Sequence, residues 1–338
     1  MMFLTSLSHC TVFTFDVMDT KVLFSILVPA YKMQYLKECI DSILSQTYDF
    51  FEVIIVDDAS PYDIWSVVSL YNDKRIRYFR NEVGFGAYNV VGNWNKCFEY
   101  ATGDYVICMG DDDMLQPEAL AEYVKLIKKY PDLGLYHGLT EFIDENGELL
   151  NMQESRPEFE SVYSMIWHRW TVRSHQYIGD WCFDTAVLRK NGGFFSLPLA
   201  WGSDDISAVL AAKERGVANT NTLCFLYRKN RQTISMNGRY ASIKLDALKQ
   251  EKKWFEAFFL NNRPQNQVDN LYYMLCMRIK DKRYEDRFIG TIFNGFVWGG
   301  SNKFKLFLQG KRLGISNLKF LKIFVSYLFA CVKRMLRK

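Results

Sequence analysis

The chain has 338 residues, 49% of them apolar, 24% charged and 16% aromatic, with seven prolines. This excludes disordered, collagen-like and proline-rich proteins and allows one large or two modest domains. Forty-two Lys and Arg against 38 Asp and Glu give a formal +4, but no acid follows Asp286 and residues 287–338 carry eleven Lys or Arg. Residues 1–286 therefore hold 31 basic against 38 acidic side chains. A general nucleic-acid binder would not be divided in this way; a basic tail on an acidic body points to a surface contact made by the tail. The eight cysteines lack C-x-x-C or Cys/His ligand spacing, so packed, reduced thiols are expected rather than a disulfide framework or zinc ribbon.

Residues 1–16 are apolar but lack a basic n-region and a small-residue cleavage site, and read poorly as a signal peptide. Residues 1–20 are expected to be an extension, with the functional chain starting near Met18. Residues 22–28 form an apolar run, interrupted by Ser25 alone and closed by Pro29, the pattern of a parallel strand buried on both faces. Leu36, Cys39, Ile40, Ile43 and Leu44 follow at helical spacing. A second buried strand at 51–56 ends in Asp57 and Asp58; a helix at 64–71 and a short strand at 76–79 come next. Residues 89–101 can be helical, and a strand at 105–109 ends in Asp111, Asp112 and Asp113. Pro117 and Glu118 then suit a helix start. This order predicts a right-handed, mostly parallel α/β sheet.

Beyond residue 134 the pattern is mixed. Strands are expected at 134–143 and 180–187, and a helix at 203–215 with Ser203 as N-cap and Gly216 as stop. After Ile243 the pattern is mainly helical.

Two acidic clusters thus lie at the carboxyl ends of predicted parallel strands, where open α/β sheets place ligands. Adjacent carboxylates repel each other, and a hard divalent ion shared with substrate phosphates would offset that cost. Taken singly, either cluster also fits a solvated turn; together, each behind a buried strand, they are far more specific.

The segments SILVPAY (25–31), CIDSILSQT (39–47), VIIVDDAS (53–60), NWNKC (93–97), ATGDYV (101–106) and GDDDMLQP (110–117) resemble the family 2 glycosyltransferases. The resemblance is specific over 21–130 and continues more weakly to about 238. It implies a GT-A fold: a Rossmann-like, mixed but mostly parallel sheet flanked by helices, here with a C-terminal helical extension. The implied organisation is a transferase domain over 21–238, with a nucleotide-sugar half (21–130) and an acceptor half (131–238), followed by a helical region (239–338). It further implies inverting transfer from a nucleotide-diphosphate sugar, commonly a UDP-sugar. Pro29, Ala30, Tyr31 and Asn95 would line the donor site, Asp58 would bind the base and Asp111 the ribose. Asp112, supported by Asp113, would hold Mn²⁺ or Mg²⁺. In WGSDDI (201–206), Asp205 matches the general base, with Asp204 beside it; both are otherwise ordinary acids of a first helical turn. The segment YRKNRQTIS (227–235) resembles a loop closing over the donor. Relatives often carry a histidine where this chain has Asn230, leaving Arg231 or Arg228 to hold phosphate oxygens, with a structural ion pair the other role for Arg228. Trp167, Trp170, Trp181 and Trp201 fit a core role better than sugar stacking.

The implied partners are a nucleotide-sugar donor and a glycan or lipid-linked acceptor in bacterial surface polysaccharide assembly, with a cytoplasmic location at the inner membrane face. Three other readings stand beside this: a signalling receiver, which leaves over half the chain unexplained, a noncatalytic sugar-nucleotide binder with a degenerate site, and a nucleotidyltransferase of similar fold. The segment 320–332 is apolar apart from Lys322 and too short to span a bilayer, and flanking Lys and Arg suit a helix lying in an anionic membrane surface. A terminal helix docked on the catalytic domain is the alternative.

Overall fold

A computed structural model describes residues 21–173, 175–230, 238–298 and 302–335. The apolar runs become the centre of a mixed sheet. Strands β1 (Phe24–Ala30), β2 (Phe51–Asp57), β3 (Ile76–Arg80) and β4 (Tyr105–Cys108) pair in parallel in the order β3-β2-β1-β4. Helices α1 (Leu36–Leu44), α2 (Ile64–Val68) and α3 (Val90–Glu99) connect them. Strands β1, β2 and β4 are buried on both faces, while β3 at the edge is only half-buried: Leu27, Ile54 and Val106 join one core, Ile26, Val53 and Ile107 the other. All six are fully buried, the reason these strands show no alternation.

The second half continues the sheet as β4-β9-β6-β10-β5. It comprises β5 (Met114–Leu115), α4 (Ala119–Lys129), β6 (Leu135–Ile143), β7 (Leu149–Met152), β8 (Phe159–Glu160), α5 (Val162–Trp170), β9 (Trp181–Asp184), α6 (Thr185–Lys190), α7 (Ser203–Ala212) and β10 (Val217–Arg228). Strand β9 runs antiparallel to β4 and β6, while β10 runs parallel to β6.

Several expectations shift here. The strand expected at 180–187 is four residues long, because Asp184 accepts the Val187 N–H and caps α6. Helix α4 starts at Ala119, after a turn through Pro117 and Glu118. Gly202, at φ +94°, is the N-cap of α7, so Ser203 is already helical; its hydroxyl accepts the Leu197 N–H at 3.0 Å. Strand β10, the longest, was not foreseen. Its apolar pattern is broken by Asn219, Thr220, Asn221 and Thr222, where its register on β6 also shifts.

After β10 come α8 (Ala241–Asn261), α9 (Gln267–Trp298), α10 (Lys303–Arg312) and α11 (Asn317–Met335). They share the core with α5 and α7: the Trp170 ring lies edge-on to Phe255 at 5.1 Å and to Phe259 at 5.5 Å. Trp170 and Trp181 are therefore core residues. The described cysteines are free thiols, six of them buried.

Candidate active site

The carboxyl ends of β1, β2 and β4 open onto a cavity of about 680 Å³, the size of a small-molecule site. Its wall includes Pro29, Tyr31, Asp58 and Asp111 to Asp113 on the strand side, and Asp204 and Asp205 opposite. Three separated acidic segments thus face one space.

The two acids ending β2 part company. Asp57 is fully buried and turned from the cavity, accepting from the Ser60 N–H, the Tyr78 hydroxyl and the Arg80 guanidinium. Asp58 faces the cavity. Its Oδ1 accepts from Asn81 Nδ2 (3.0 Å) and the Phe85 N–H (2.8 Å), and its Oδ2 from the Gly86 N–H (2.9 Å). A carboxylate oxygen has room for two donors, so Oδ2 keeps a position for an incoming N–H. The loop that grips Asp58 needs Gly84, where a Cβ would lie 2.4 Å from the Asp58 carbonyl oxygen. Gly84→Ala is accordingly expected to displace the loop and to weaken about tenfold or more the nucleotide binding that the resemblance assigns to Asp58, as calorimetry with UDP would show; unchanged affinity would overturn that assignment.

Asp111, Asp112 and Asp113 are all buried at the end of β4. Asp111 Oδ2 accepts the N–H groups of Tyr31 (2.7 Å) and Lys32 (2.6 Å), tying this turn to the end of β1. Asp112 Oδ2 takes Lys32 Nζ at 2.5 Å and Asn230 Nδ2 at 2.7 Å, and Asp113 Oδ1 the Arg228 N–H at 2.9 Å. Burial pushes the Asp111 carboxyl up to about 6, opposed by Lys32 and reinforced by Asp112. Burial and the Asp112 charge also raise Asp113 well above the usual carboxylate range. Among the described residues, Lys32 is the one cationic side chain in ion-pair contact with this cluster. Its burial would lower the ammonium, but Asp112 and Asp111 outweigh that and hold it above its ordinary value.

Across the cavity, Asp204 and Asp205 occupy the first turn of α7, where the helix N-terminus favours negative charge. Asp205 is 2% exposed. Its Oδ1 accepts from Arg169 Nε (2.8 Å) and Gln176 Nε2 (2.6 Å), while its Oδ2 has no hydrogen-bond partner among the described residues. Burial favours the neutral acid, yet the charge and hydrogen bond of Arg169, helped by Arg287 and Arg283, take Asp205 below the usual range. Asp204 is half-buried, and desolvation plus the Asp205 charge push it up to about 7. One carboxylate is therefore held ionised and the other is poised near neutrality.

The C-terminal helices complete this side. Tyr240 and Arg287 line the cavity, and Arg287, Arg283 and the Tyr284 hydroxyl converge on the fully buried Glu251 of α8. Tyr177 and Tyr227 stack at 4.1 Å in the wall, and Trp201 lies in it under the Lys244 ammonium.

Other expectations need correcting. Asn95 is turned away from the cavity: its amide accepts the Phe194 N–H (2.8 Å) and donates to the Phe194 carbonyl (3.0 Å), and Asn93 and Trp94 line the wall instead. Ala30 is buried in the core and contributes its carbonyl, which accepts the Asp58 N–H. Arg228 is structural: buried, it pairs with Glu38 at 2.6 Å and donates to the Asp112 carbonyl at 2.9 Å. Arg231 lies outside the described residues. Arg169, Gln176 and Arg287 were missed, because nothing local to them signals chemistry. Lys32 could have been found, since it directly follows the pocket-lining Tyr31.

Residues 25–184 match the family described as Glycosyl transferase family 2. An uncharacterized glycosyltransferase of Methanocaldococcus jannaschii is 34% identical over 145 residues, covering 41% of this chain and 48% of its own. An uncharacterized glycosyltransferase of Rickettsia felis is 33% identical over 132 residues, with 38% and 21% covered. The chain thus spans about half or less of the length of these relatives. The UDP-Glc:alpha-D-GlcNAc-diphosphoundecaprenol beta-1,3-glucosyltransferase WfgD of Escherichia coli is 24% identical over 256 residues, 75% of this chain and 91% of its own. In fold, the chain is similar to S. aureus TarS 1–349 in complex with UDP-GlcNAc, with a TM-score of 0.59 at 16% identity over 91% of this chain and 81% of that one. The mannosyltransferase PcManGT from Pyrobaculum calidifontis, in complex with GDP-Man and Mn²⁺, gives 0.50 at 17% identity over 93% and 87%. The sheet order, the acidic strand ends and the matched segment agree: the chain has the GT-A fold, and its residues 25–184 match glycosyl transferase family 2.

Proposed function

We propose that the protein transfers a sugar from a UDP-sugar to a hydroxyl of a glycan or lipid-linked acceptor, with inversion at the anomeric carbon, in bacterial surface polysaccharide assembly. One observation carries the reading: Asp58, Asp111 to Asp113, and Asp204 with Asp205 line a single cavity. In this reading 21–130 takes the donor, 131–238 the acceptor, and 239–338 closes the acceptor side through Tyr240 and Arg287. The UDP-sugar and the lipid-linked acceptor are supported by the printed activity of WfgD and by the UDP-GlcNAc held by TarS.

Asp58 Oδ2 accepts the uracil ring N–H, and Asp111 the ribose hydroxyls. Asp205, anchored through Oδ1, takes the acceptor hydroxyl proton on Oδ2. As that oxygen bonds to the anomeric carbon, the bond from this carbon to the diphosphate breaks and UDP leaves with the electron pair. Asp204, near neutrality, positions the acceptor by hydrogen bonding. Lys32 is the one cationic side chain in ion-pair contact with these acids among the described residues. No three ligating side chains there are grouped to hold a metal by themselves, so a hard divalent cation would take one or two of the carboxylates and complete its shell with substrate phosphates. Asp112, supported by Asp113, would hold Mn²⁺ or Mg²⁺, which would offset charge on the leaving diphosphate. One specific observation favours a second reading, in which Asp204 is the base: it is the more exposed of the pair and carries the higher pKa.

Among the described residues no helix is long and apolar enough to cross a membrane. The reaction is proposed to occur at the inner face of the cell membrane, with the basic tail toward it. The test is a screen of sugar nucleotides with Mn²⁺, reading nucleoside diphosphate release and thermal shift. A UDP-sugar should be turned over; absence of any shift with any donor, or pyrophosphate release from a nucleoside triphosphate, would overturn the reading.

A further inference from the structure

Helix α11 has two apolar faces. Phe320 and Ile323 are buried against the molecule, 7% and 3% exposed. The opposite face carries Leu318, Leu321, Val325, Leu328 and Val332, each between 42% and 64% exposed and spaced three and four residues apart. That spacing forms one continuous stripe along a helix. Phe324 and Phe329 widen it, Phe329 at 69% exposed, and Phe304 of α10 is 68% exposed. Scattered exposed apolar residues are ordinary, but an ordered stripe of this length on a terminal helix marks a surface that something covers.

Charge identifies the occupant. Lys303, Lys305, Lys311, Arg312, Lys322 and Lys333 are exposed around the stripe. No carboxylate side chain exists after Asp286 to neutralise them. Two copies seated stripe to stripe would bring two such tails together without an acidic partner, an unfavourable arrangement. An anionic surface offers both missing partners, acyl chains for the stripe and phosphates for the ammonium groups.

We propose that α10 and α11 dock in the plane of an anionic lipid bilayer, with the 318–332 stripe in the acyl boundary and the surrounding Lys and Arg on the headgroups. The proposal rests on the tail's own residues and names the surface at which the proposed transferase works; its readout is membrane partitioning, which is independent of donor chemistry.

The full chain is tested by co-sedimentation with phosphatidylcholine vesicles containing about one third phosphatidylglycerol, against pure phosphatidylcholine. It should pellet with the anionic vesicles and be partly released as salt rises from about 0.1 to 1 M. Leu321→Glu with Phe329→Glu should reduce partitioning at least about tenfold, since each places a charge at the acyl boundary. Lys322→Glu with Lys333→Glu should abolish the preference for anionic vesicles. All four side chains are exposed, so the thermal unfolding of both variants should match that of the parent chain. Equal partitioning of parent and variants would overturn the proposal. So would a dimer in analytical ultracentrifugation that dissociates in the Leu321→Glu, Phe329→Glu variant, because a second copy would then be the occupant.

Discussion

Asp205→Asn is expected to lower glycosyl-transfer turnover about 10²–10⁴-fold, the range for loss of a general base, while UDP affinity stays unchanged. Asparagine keeps the shape and the Oδ1 contacts to Arg169 and Gln176 but cannot take a proton. The carboxylates proposed to hold the donor, Asp58 and Asp111 to Asp113, lie at the strand ends of the other wall, so nucleotide binding should survive. Asp204 gives the pH dependence its sign. Its carboxyl, raised to about 7, is neutral below that pH and charged above it, whereas Asp205 is held ionised well into acid. If Asp205 is the base, turnover at saturating acceptor should hold up below pH 7, and Asp204→Asn should chiefly raise the acceptor KM. If Asp204 is the base, turnover climbs with pH through about 7 and Asp204→Asn removes it. Full activity in Asp205→Asn would decide for the second reading.

The second large effect is expected at Asp112. Asp112→Asn should weaken Mn²⁺-dependent UDP binding by more than about tenfold, because it deletes a charged oxygen donor to a hard cation. Chelation of the parent chain with EDTA should reproduce the loss. Lys32→Met should act in the opposite direction on Mn²⁺ alone, tightening it, because the ammonium 2.5 Å from Asp112 competes for the same carboxylate. Mn²⁺ titration followed by electron paramagnetic resonance reads both variants without turnover. Identical Mn²⁺ binding in the parent chain and both variants would place the cation elsewhere.

The strands β2 and β4 that present Asp58 and Asp111 to Asp113 were legible because they are buried on both faces and so appear as nearly unbroken apolar runs followed by carboxylates. The same logic located α7 and its acidic first turn. It failed for β10, whose polar 219–222 stretch interrupts the pattern where the strand shifts register on β6. It also misassigned Asn95: on α3, a two-residue step turns a side chain by more than half a turn, so Asn93 faces the cavity and Asn95 faces Phe194.

The sequence by itself determined the local terms: buried strands, acids at their carboxyl ends, a helix opening with Asp204 and Asp205, and a tail without carboxylates. These depend on neighbours within a few residues. Tertiary structure decided which of those groups meet and in what state of charge. Arg169 reaches Asp205 from 36 residues upstream, Arg228 is consumed by Glu38 from 190 residues away, and Glu251 gathers arginines of α9 behind the start of α7. Electrostatic energy depends on distance in space and on burial, and neither can be read from separation along the chain. The tail shows both limits. Its +11 over residues 287–338 follows from composition, but only packing shows which apolar face of α11 the protein keeps and which it leaves to solvent.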